Sequence, residues 1–145
     1  MTQTRLAEIL LIEDNPGDVV LMKEALKQAN FSHHLSVVND GVEAMNFLYR
    51  KDNHSDAPRP DLILLDLKMP KKDGSEVLAE IKSDNDLKRI PVVVLSSSKS
   101  EQDIFNVYNL HGNAYMTKSV LFKQLLDKVQ ALKNFWFVAA ALPAK

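Results

Sequence analysis

The chain contains no cysteine among its 145 residues. This absence excludes a disulfide framework, a thiolate zinc site and a cysteine nucleophile. Charge of one sign is also lacking, because 18 basic and 19 acidic residues leave a formal net charge of −1. Nothing in this balance favours a nucleic acid or an anionic membrane as the main partner, and we expect neither.

Targeting and membrane-spanning segments are also absent from the sequence. The N-terminal stretch MTQTRLAEILLIED reaches an acidic pair by residue 13 and lacks the apolar core and cleavage site of a signal peptide. The longest apolar run, Phe135 to Leu142, is too short to cross a bilayer. With 46% hydrophobic and 26% charged residues, the composition is typical of a globular protein. We expect one cytoplasmic domain over residues 1–145.

Five short apolar segments predict buried strands. They are rich in leucine and β-branched residues and do not alternate with polar ones, as expected of parallel strands covered on both faces. The segments are Glu8–Glu13, Leu35–Asn39, Asp61–Asp66, Pro91–Ser96 and Ala114–Thr117.

Helix-period segments follow each of these strands. They are Pro16–Ala29, Gly41–Lys51, Ser75–Ser83, Ser100–Leu110 and a last helix from near Ser119 to beyond Phe135. Asn15 and Ser119 are good N-cap residues for the first and last of them. The alternation predicts a doubly wound α/β fold, with a five-stranded parallel sheet of flavodoxin-like order 2-1-3-4-5 and helices on both faces.

Carboxylates end two strands that are neighbours in this order. Strand 1 runs into Glu13 and Asp14, and strand 3 ends in Asp66. Adjacent strands lie about 4.8 Å apart, so the three side chains are within reach of one shared cation. Like charges this close disfavour one another unless a cation neutralises them. The hard, oxygen-preferring ion Mg²⁺ meets that need.

Two further polar residues follow strands at the same edge. Ser96 ends strand 4, and Lys118 follows strand 5. An exposed aspartate surrounded by acids, a hydroxyl and a lysine is suited to phosphoryl transfer onto a carboxylate. Asp66 would attack phosphorus, and Lys118 and Ser96 would bind the phosphoryl oxygens that the metal does not.

The ordered set resembles the receiver domain of two-component response regulators across about residues 7 to 133. The matching residues are Glu13, Asp14, Asp66, Pro70, Gly74, Ser96 and Lys118. The resemblance implies a phosphoacceptor that takes its phosphoryl group from a histidine kinase and catalyses only its own phosphorylation and dephosphorylation. It also implies a metal ligand in the backbone carbonyl of Lys68, and a switch in which the rotamer of Tyr115 follows the state of Ser96.

A narrower resemblance is to the single-domain regulators that partner cyanobacterial phytochromes. It lies in PRPDLILLDLKMPKKDG, EVLAEIKSDNDLKRIPVVVLSSS, YMTKS and the terminal FWF…LP. One departure from most receivers is Lys118-Ser119, where they have Lys-Pro with a cis peptide. A cis bond without proline costs about 2.5–4 kcal/mol, so this loop is either strained or trans. The phytochrome-partner group is similar in this departure.

Two other functions use related chemistry. An aspartate-nucleophile, Mg²⁺-dependent phosphatase would need a second aspartate where this chain has Lys68. A flavodoxin-like FMN protein would need a hydroxyl-rich loop after strand 1, where this chain has Glu-Asp-Asn-Pro. Both remain alternatives to the receiver.

The C-terminal segment, residues 134–145, predicts an association surface. The stripe Leu125, Val129, Leu132 and Trp136 forms the core face of the last helix. Adjacent aromatics on a helix point in different directions, so at least one of Phe135, Trp136 and Phe137 should be exposed. We expect no output domain beyond this segment and therefore expect the signal to leave through a surface. A symmetric homodimer is the simplest assembly, and folding of the segment back over its own helix is the alternative.

Overall fold

The computed structural model describes residues 6–119 and 121–143 of the chain. Its five strands form one parallel sheet in the order β2-β1-β3-β4-β5. In chain order they are β1 (Ala7–Ile12), β2 (His33–Val38), β3 (Leu62–Asp66), β4 (Val92–Ser96) and β5 (Ala114–Thr117). The predicted doubly wound fold and its strand order are confirmed.

Five α-helices connect and follow the strands. They are α1 (Pro16–Gln28), α2 (Gly41–Tyr49), α3 (Gly74–Ser83), α4 (Glu101–Asn109) and α5 (Phe122–Asn134). The first four begin after a residue whose side-chain oxygen accepts a backbone N–H of the first turn; these are Asn15, Asp40, Asp73 and Ser100. Each such cap stabilises its helix by about 1 kcal/mol. Across the described ranges, no helix combines the length and apolar character needed to cross a membrane.

The sheet has an apolar layer on each face. Helices α2, α3 and α4 cover one face, where they pack on inward residues such as Leu10 and Ile12. Helices α1 and α5 cover the other, which includes Ile9 and Leu11. Every residue of β3 and β4 is buried, which explains why their sequences show no alternation of polar and apolar residues.

Strand β2 begins two residues earlier than the sequence predicted. His33 pairs with Ala7 of β1, and the imidazole of His34 lies 2.8 Å from the carboxylate of Glu8, which is also on β1. Because β2 is at the edge of the sheet, pairing with β1 alone fixes where it begins. Polar histidines are tolerated there, and an apolar run therefore underestimates the length of this strand.

The last helix begins later than predicted, and Ser119 is not its N-cap. Helix α5 starts at Phe122, and the residue before it, Leu121, makes no side-chain cap. The reason lies in the preceding loop, where the backbone N–H of Lys118 donates to the carbonyl of Ser96 at 2.8 Å. This bond extends the pairing of β5 with β4 as far as residue 118, and the backbone is also extended at Leu121, directly before the helix. After Asn134, the helix gives way to one π-helical turn, Phe135–Ala139.

Gly74 begins α3 directly beside the end of β3. A Cβ atom at this position would lie 2.3 Å from the carbonyl oxygen of Asp66 and 2.6 Å from the Cα of Leu67. Both of these are backbone atoms, which cannot rotate away. Only glycine therefore allows α3 to start this close to the strand end.

We predict that Gly74→Ala lowers the free energy of unfolding by about 1–3 kcal/mol, the usual cost of overpacking. Urea denaturation followed by circular dichroism measures the change. Gly17→Ala is the matched control, since the nearest described atom to a Cβ there is the Asn15 side-chain oxygen, at 3.2 Å, and not a backbone atom. That oxygen is the N-cap acceptor of α1 and must shift slightly, which offsets the helix propensity that alanine adds, so this variant should stay within about 0.5 kcal/mol of the wild type. Equal stability of both variants would contradict the steric explanation.

Candidate functional site

The strand register brings the predicted residues to one edge of the sheet. Ile12 of β1 pairs with Leu65 of β3, so Glu13 and Asp66 follow side by side. Ser96 pairs with Thr117 at the ends of β4 and β5, and Lys118 comes next. This is the carboxyl edge of the strands, at the point between β1 and β3 where the strand order reverses, the usual ligand site of such folds.

Three carboxylates meet at this edge. Glu13, Asp14 and Asp66 each offer one oxygen, and these oxygens lie within 4.8 Å of one another. Glu13 and Asp66 are only 2% and 7% exposed, whereas Asp14 is exposed. Two buried anions in contact repel each other strongly unless a cation is near. The donor set, all carboxylate oxygen, fits a hard divalent cation.

Lys118 contacts the buried carboxylates. Its Nζ lies 2.9 Å from Glu13 Oε1, 3.5 Å from Asp66 Oδ1 and 2.8 Å from Asp18 Oδ2. Asp18 was missed from the sequence. Its place in the first turn of α1, one helical turn after Asp14, was a signal that it lies near the acidic pair. Its pairing with a lysine 100 residues away was not readable.

The proton affinities of Glu13 and Lys118 reflect this contact. Burial, reinforced by the neighbouring carboxylate of Asp66, raises the pKa of Glu13 from 4.5 to about 7 even though Lys118 opposes the shift. For Lys118, burial acts to lower the pKa. Its hydrogen bonds to Asp18 and Glu13 outweigh burial and hold that pKa above its ordinary value. The ammonium therefore stays charged, and the protonation of Glu13 is the variable part of the site.

Ser96 and Tyr115 are linked through a single residue, Ser98. The buried hydroxyl of Ser96 accepts the backbone N–H of Ser98 at 3.1 Å. The hydroxyl of Tyr115 donates to the carbonyl of Ser98 at 2.8 Å. The Tyr115 backbone N–H in turn lies 3.2 Å from the hydroxyl of Tyr108 on α4. These hydrogen bonds connect Ser96, which lies beside the acidic residues, with Tyr115 and Tyr108 at the α4–β5 surface.

The remaining predicted site residues lie around this edge. Lys68 is in the loop after β3, with an exposed side chain. No cis peptide bond occurs within the described ranges, so Lys118-Ser119 is trans. The departure from Lys-Pro is therefore accommodated here without a cis bond, and Lys118 still reaches the carboxylates.

The three aromatics of the C-terminal segment lie in different environments and away from the acidic edge. Phe135 is 54% exposed. Trp136 packs on the apolar layer below α1 and α5, together with the rest of the predicted stripe. Phe137 joins the same layer and stacks on Phe31, with ring centroids 5.8 Å apart. The segment thus partly folds back on its own domain and leaves Phe135 projecting.

The sequence also matches a known protein family. A family model, the response regulator receiver domain, matches residues 9–130. The chain belongs to this family. The receiver predicted from sequence is confirmed, and the family match favours it over the phosphatase and FMN-protein alternatives.

Several relatives are similar over almost their whole length. The response regulator Rcp1 of Synechocystis sp. is 51% identical over 136 residues, which are 94% of this chain and 92% of that protein. The crystal structure of the Mn²⁺-bound form of Rcp1 superposes with a TM-score of 0.88 at 50% identity, over 95% of this chain and 99% of that one.

A second solved relative is the phosphorylated cyanobacterial phytochrome response regulator RcpA. It has a TM-score of 0.91 and 52% identity, with 97% of this chain and 100% of that chain covered. The bacteriophytochrome response regulator RtBRR is more distant, at 40% identity and a TM-score of 0.78 over 96% and 85% of the two chains. The narrower resemblance to regulators that partner phytochromes is therefore also confirmed.

The raised pKa of Glu13 predicts how stability depends on pH in protein without added metal. Between about pH 4.5 and 7, the folded protein binds a proton at Glu13 that the unfolded chain has lost. The contribution of Glu13 to the free energy of unfolding is therefore largest below pH 4.5 and is lost as the pH rises through 7. The difference in the free energy of unfolding between Glu13→Gln and the wild type should therefore change with pH. From pH 4.5 to pH 8, we expect it to shift in favour of the variant by about 1–3 kcal/mol.

Urea denaturation of both proteins at several pH values, with a chelator present, measures this difference. Comparing the two proteins removes the contribution of every other titrating group. Parallel stability curves between pH 4.5 and 8 would show that Glu13 titrates normally in the fold.

Proposed function

We propose that this receiver accepts a phosphoryl group on Asp66 from a histidine kinase of the phytochrome type. The observation that carries the proposal is the position of Asp66: a buried carboxylate at a strand end, next to two other acids and 3.5 Å from the ammonium of Lys118. Burying a carboxylate among other acids costs stability, so its position is better explained by a chemical role. The named relatives, which include phytochrome and bacteriophytochrome response regulators, support the choice of kinase.

Glu13, Asp14 and Asp66, with the backbone carbonyl of Lys68, would hold the metal, which we propose to be Mg²⁺. The ion would supply positive charge to neutralise the phosphoryl oxygens. The structure of Rcp1 with Mn²⁺ bound supports the proposal that this chain also binds a divalent cation. Mg²⁺ typically binds oxygen ligands and keeps several of its water molecules.

The protein residues have separate tasks in the transfer. A carboxylate oxygen of Asp66 attacks phosphorus, so that an O–P bond forms while the P–N bond of the donor phosphohistidine breaks and the imidazole keeps the electron pair. Lys118 Nζ donates to a phosphoryl oxygen, which is the charge-assisted contact expected of lysine. Ser96 Oγ donates to another. Water later hydrolyses the acyl phosphate, so the domain catalyses only its own phosphorylation and dephosphorylation.

The contact of the Ser96 hydroxyl with the phosphoryl group would also start the switch. Phosphorylation adds roughly −1.5 to −2 charge beside Ser96. When the Ser96 hydroxyl turns toward the phosphoryl group, the Ser98 backbone follows, because its N–H is bonded to that hydroxyl. Tyr115, which donates to the Ser98 carbonyl, then adjusts its position. The α4–β5–α5 surface thereby has two states that the phosphoryl group biases.

We further propose that the output is association, as a homodimer, through the C-terminal aromatic segment. A groove of about 590 Å³ lies between α4, β5 and α5, and Phe135 stands at its wall. Apolar side chains line it, among them Met116, Leu132 and Trp136. A projecting aromatic beside an apolar groove gives a self-complementary patch when two copies are related by a two-fold axis.

The remaining parts of the proposal concern the extent of the domain and its location. We assign residues 1–145 to a single receiver domain, with 134–145 as the association segment; the structure describes this segment as far as residue 143. We also propose that the protein is a cytoplasmic signalling protein whose partners are the kinase and a second copy of itself, without nucleic acid or membrane as a binding partner. The phytochrome response regulators among its relatives support the kinase.

Asp66→Asn should abolish phosphoryl labelling and leave the fold intact. The protein is incubated with Mg²⁺ and a phosphorylated histidine kinase, and label is mapped by peptide mass spectrometry. An acyl phosphate is stable in acid and cleaved by hydroxylamine, which identifies the bond. Asp56→Asn, an exposed aspartate of the loop after α2, is the matched control and should label normally. Undiminished labelling of Asp66→Asn would disprove the assignment.

Phe135→Ala should shift the dimer toward monomer in sedimentation experiments by about fivefold or more in Kd, because an aromatic anchor typically contributes over 1 kcal/mol. Phe105→Ala is the control, since Phe105 on α4 is 63% exposed but does not line the groove. Both variants should accept phosphate at the wild-type rate. The dimer proposal fails if the wild type stays monomeric at high concentration, phosphorylated or not.

A further inference from the structure

The three carboxylates around Lys118 differ in one respect. Glu13 and Asp66 belong to the acidic cluster that fits a divalent cation, so their oxygens have other partners during phosphoryl transfer. Asp18 does not belong to that cluster, yet at 2.8 Å it is as close to the ammonium as any of them. Asp18 is therefore the contact of Lys118 that the proposed reaction leaves in place.

Asp18 is also held on a rigid element. It lies in the first turn of α1, and its backbone N–H donates to the side-chain oxygen of Asn15, the N-cap, at 3.1 Å. Lys118, by contrast, is in a loop and has a long, flexible side chain. A fixed carboxylate facing a flexible ammonium restricts where the ammonium can be, and such positioning is a large part of catalysis in phosphoryl transfer.

We propose that Asp18 is a positioning residue that anchors Lys118 at the edge of the site while Glu13 and Asp66 engage the cation and the phosphoryl group. This inference rests on the proposed role of Asp66 as the acceptor. A lysine has three N–H donors, so Nζ can keep Asp18 with one and offer another to a phosphoryl oxygen on Asp66, whose carboxylate is now 3.5 Å away. The strong effect of Asp18 in raising the pKa of Lys118 agrees with this contact.

The opposite role is that of a competitor, in which Asp18 withdraws Lys118 from Asp66 and slows the reaction. The two roles predict opposite signs for Asp18→Asn. The loss of one negative charge near the site would by itself speed the reaction with an anionic donor. Slower phosphorylation of this variant can therefore be explained by lost positioning and not by charge.

The first measurement is the rate of Asp66 labelling of the full chain by acetyl phosphate in the presence of Mg²⁺. We expect Asp18→Asn to be slower by about fivefold, the upper range for an ion pair that is partly exposed. Glu24→Gln is the matched control: it removes one charge from the same helix, where Glu24 is exposed and its carboxylate accepts a hydrogen bond from Gln28 at 3.0 Å. It should label at the wild-type rate or slightly faster. Asp18→Glu should recover part of the rate.

The second measurement needs neither metal nor donor. Peptide mass spectrometry follows the modification of Lys118 by an amine-reactive ester in the metal-free protein. Its reactivity should rise severalfold in Asp18→Asn, because the amine loses the nearest of its three carboxylate partners and keeps only Glu13 and the more distant Asp66. It should be unchanged in Glu24→Gln. A purely structural role of Asp18 in α1 would lower the unfolding temperature without singling out Lys118 among the lysines.

The outcomes separate this inference from the proposed function. If wild-type Asp66 is not labelled, the acceptor role fails, and Lys118 reactivity still reports on the anchor. If Asp66 is labelled but Asp18→Asn labels equally fast or faster, the positioning role is overturned. It is also overturned if labelling slows while Lys118 reactivity does not change, because Asp18 would then act by another route.

Discussion

The structure depends on holding two buried carboxylates, Glu13 and Asp66, in contact. Adjacent parallel strands end in these residues, and the apolar layers on both faces exclude the water that would screen them. Repulsion of this kind destabilises the fold unless it is compensated. The compensation is incomplete: Lys118 approaches both acids, yet the pKa of Glu13 is still raised to about 7. Burial, which is the largest cause of this shift, and the remaining repulsion from Asp66 both favour the binding of added positive charge at this edge.

Several features of the fold serve this arrangement. Gly74 lets α3 begin against the backbone of Asp66, which keeps the strand end enclosed. The hydrogen bond from Lys118 N–H to the Ser96 carbonyl extends the sheet by one residue and brings the lysine over the acids. Beyond it, the backbone is extended at Leu121, and α5 starts at Phe122. The helix therefore does not begin at the nearest good N-cap residue, Ser119.

Much of this was readable from the sequence, and the exceptions have a common cause. Continuous apolar runs identified β3 and β4 because both faces are covered, and the acids that end β1 and β3 were placed together by strand order alone. The ion pair of Asp18 with Lys118, the link through Ser98 and the stacking of Phe137 on Phe31 were not predicted. Each joins side chains whose meeting depends on the exact path of a loop or helix end. Local propensity carries no information about such contacts, whereas it does about strands and helices.

The most direct test of this account is to titrate the protein with Mg²⁺, the cation proposed for the site, and to count the protons that binding releases. Calorimetric titration in buffers of different ionisation enthalpy gives that number at each pH. A carboxylate must be deprotonated to bind a metal. Since the pKa of Glu13 is raised to about 7, we expect about one proton per ion at pH 6, falling toward none above pH 8. Binding of Mg²⁺ at pH 6 without proton release would contradict the claim that burial beside Asp66 holds a proton on Glu13 and that the cation displaces it.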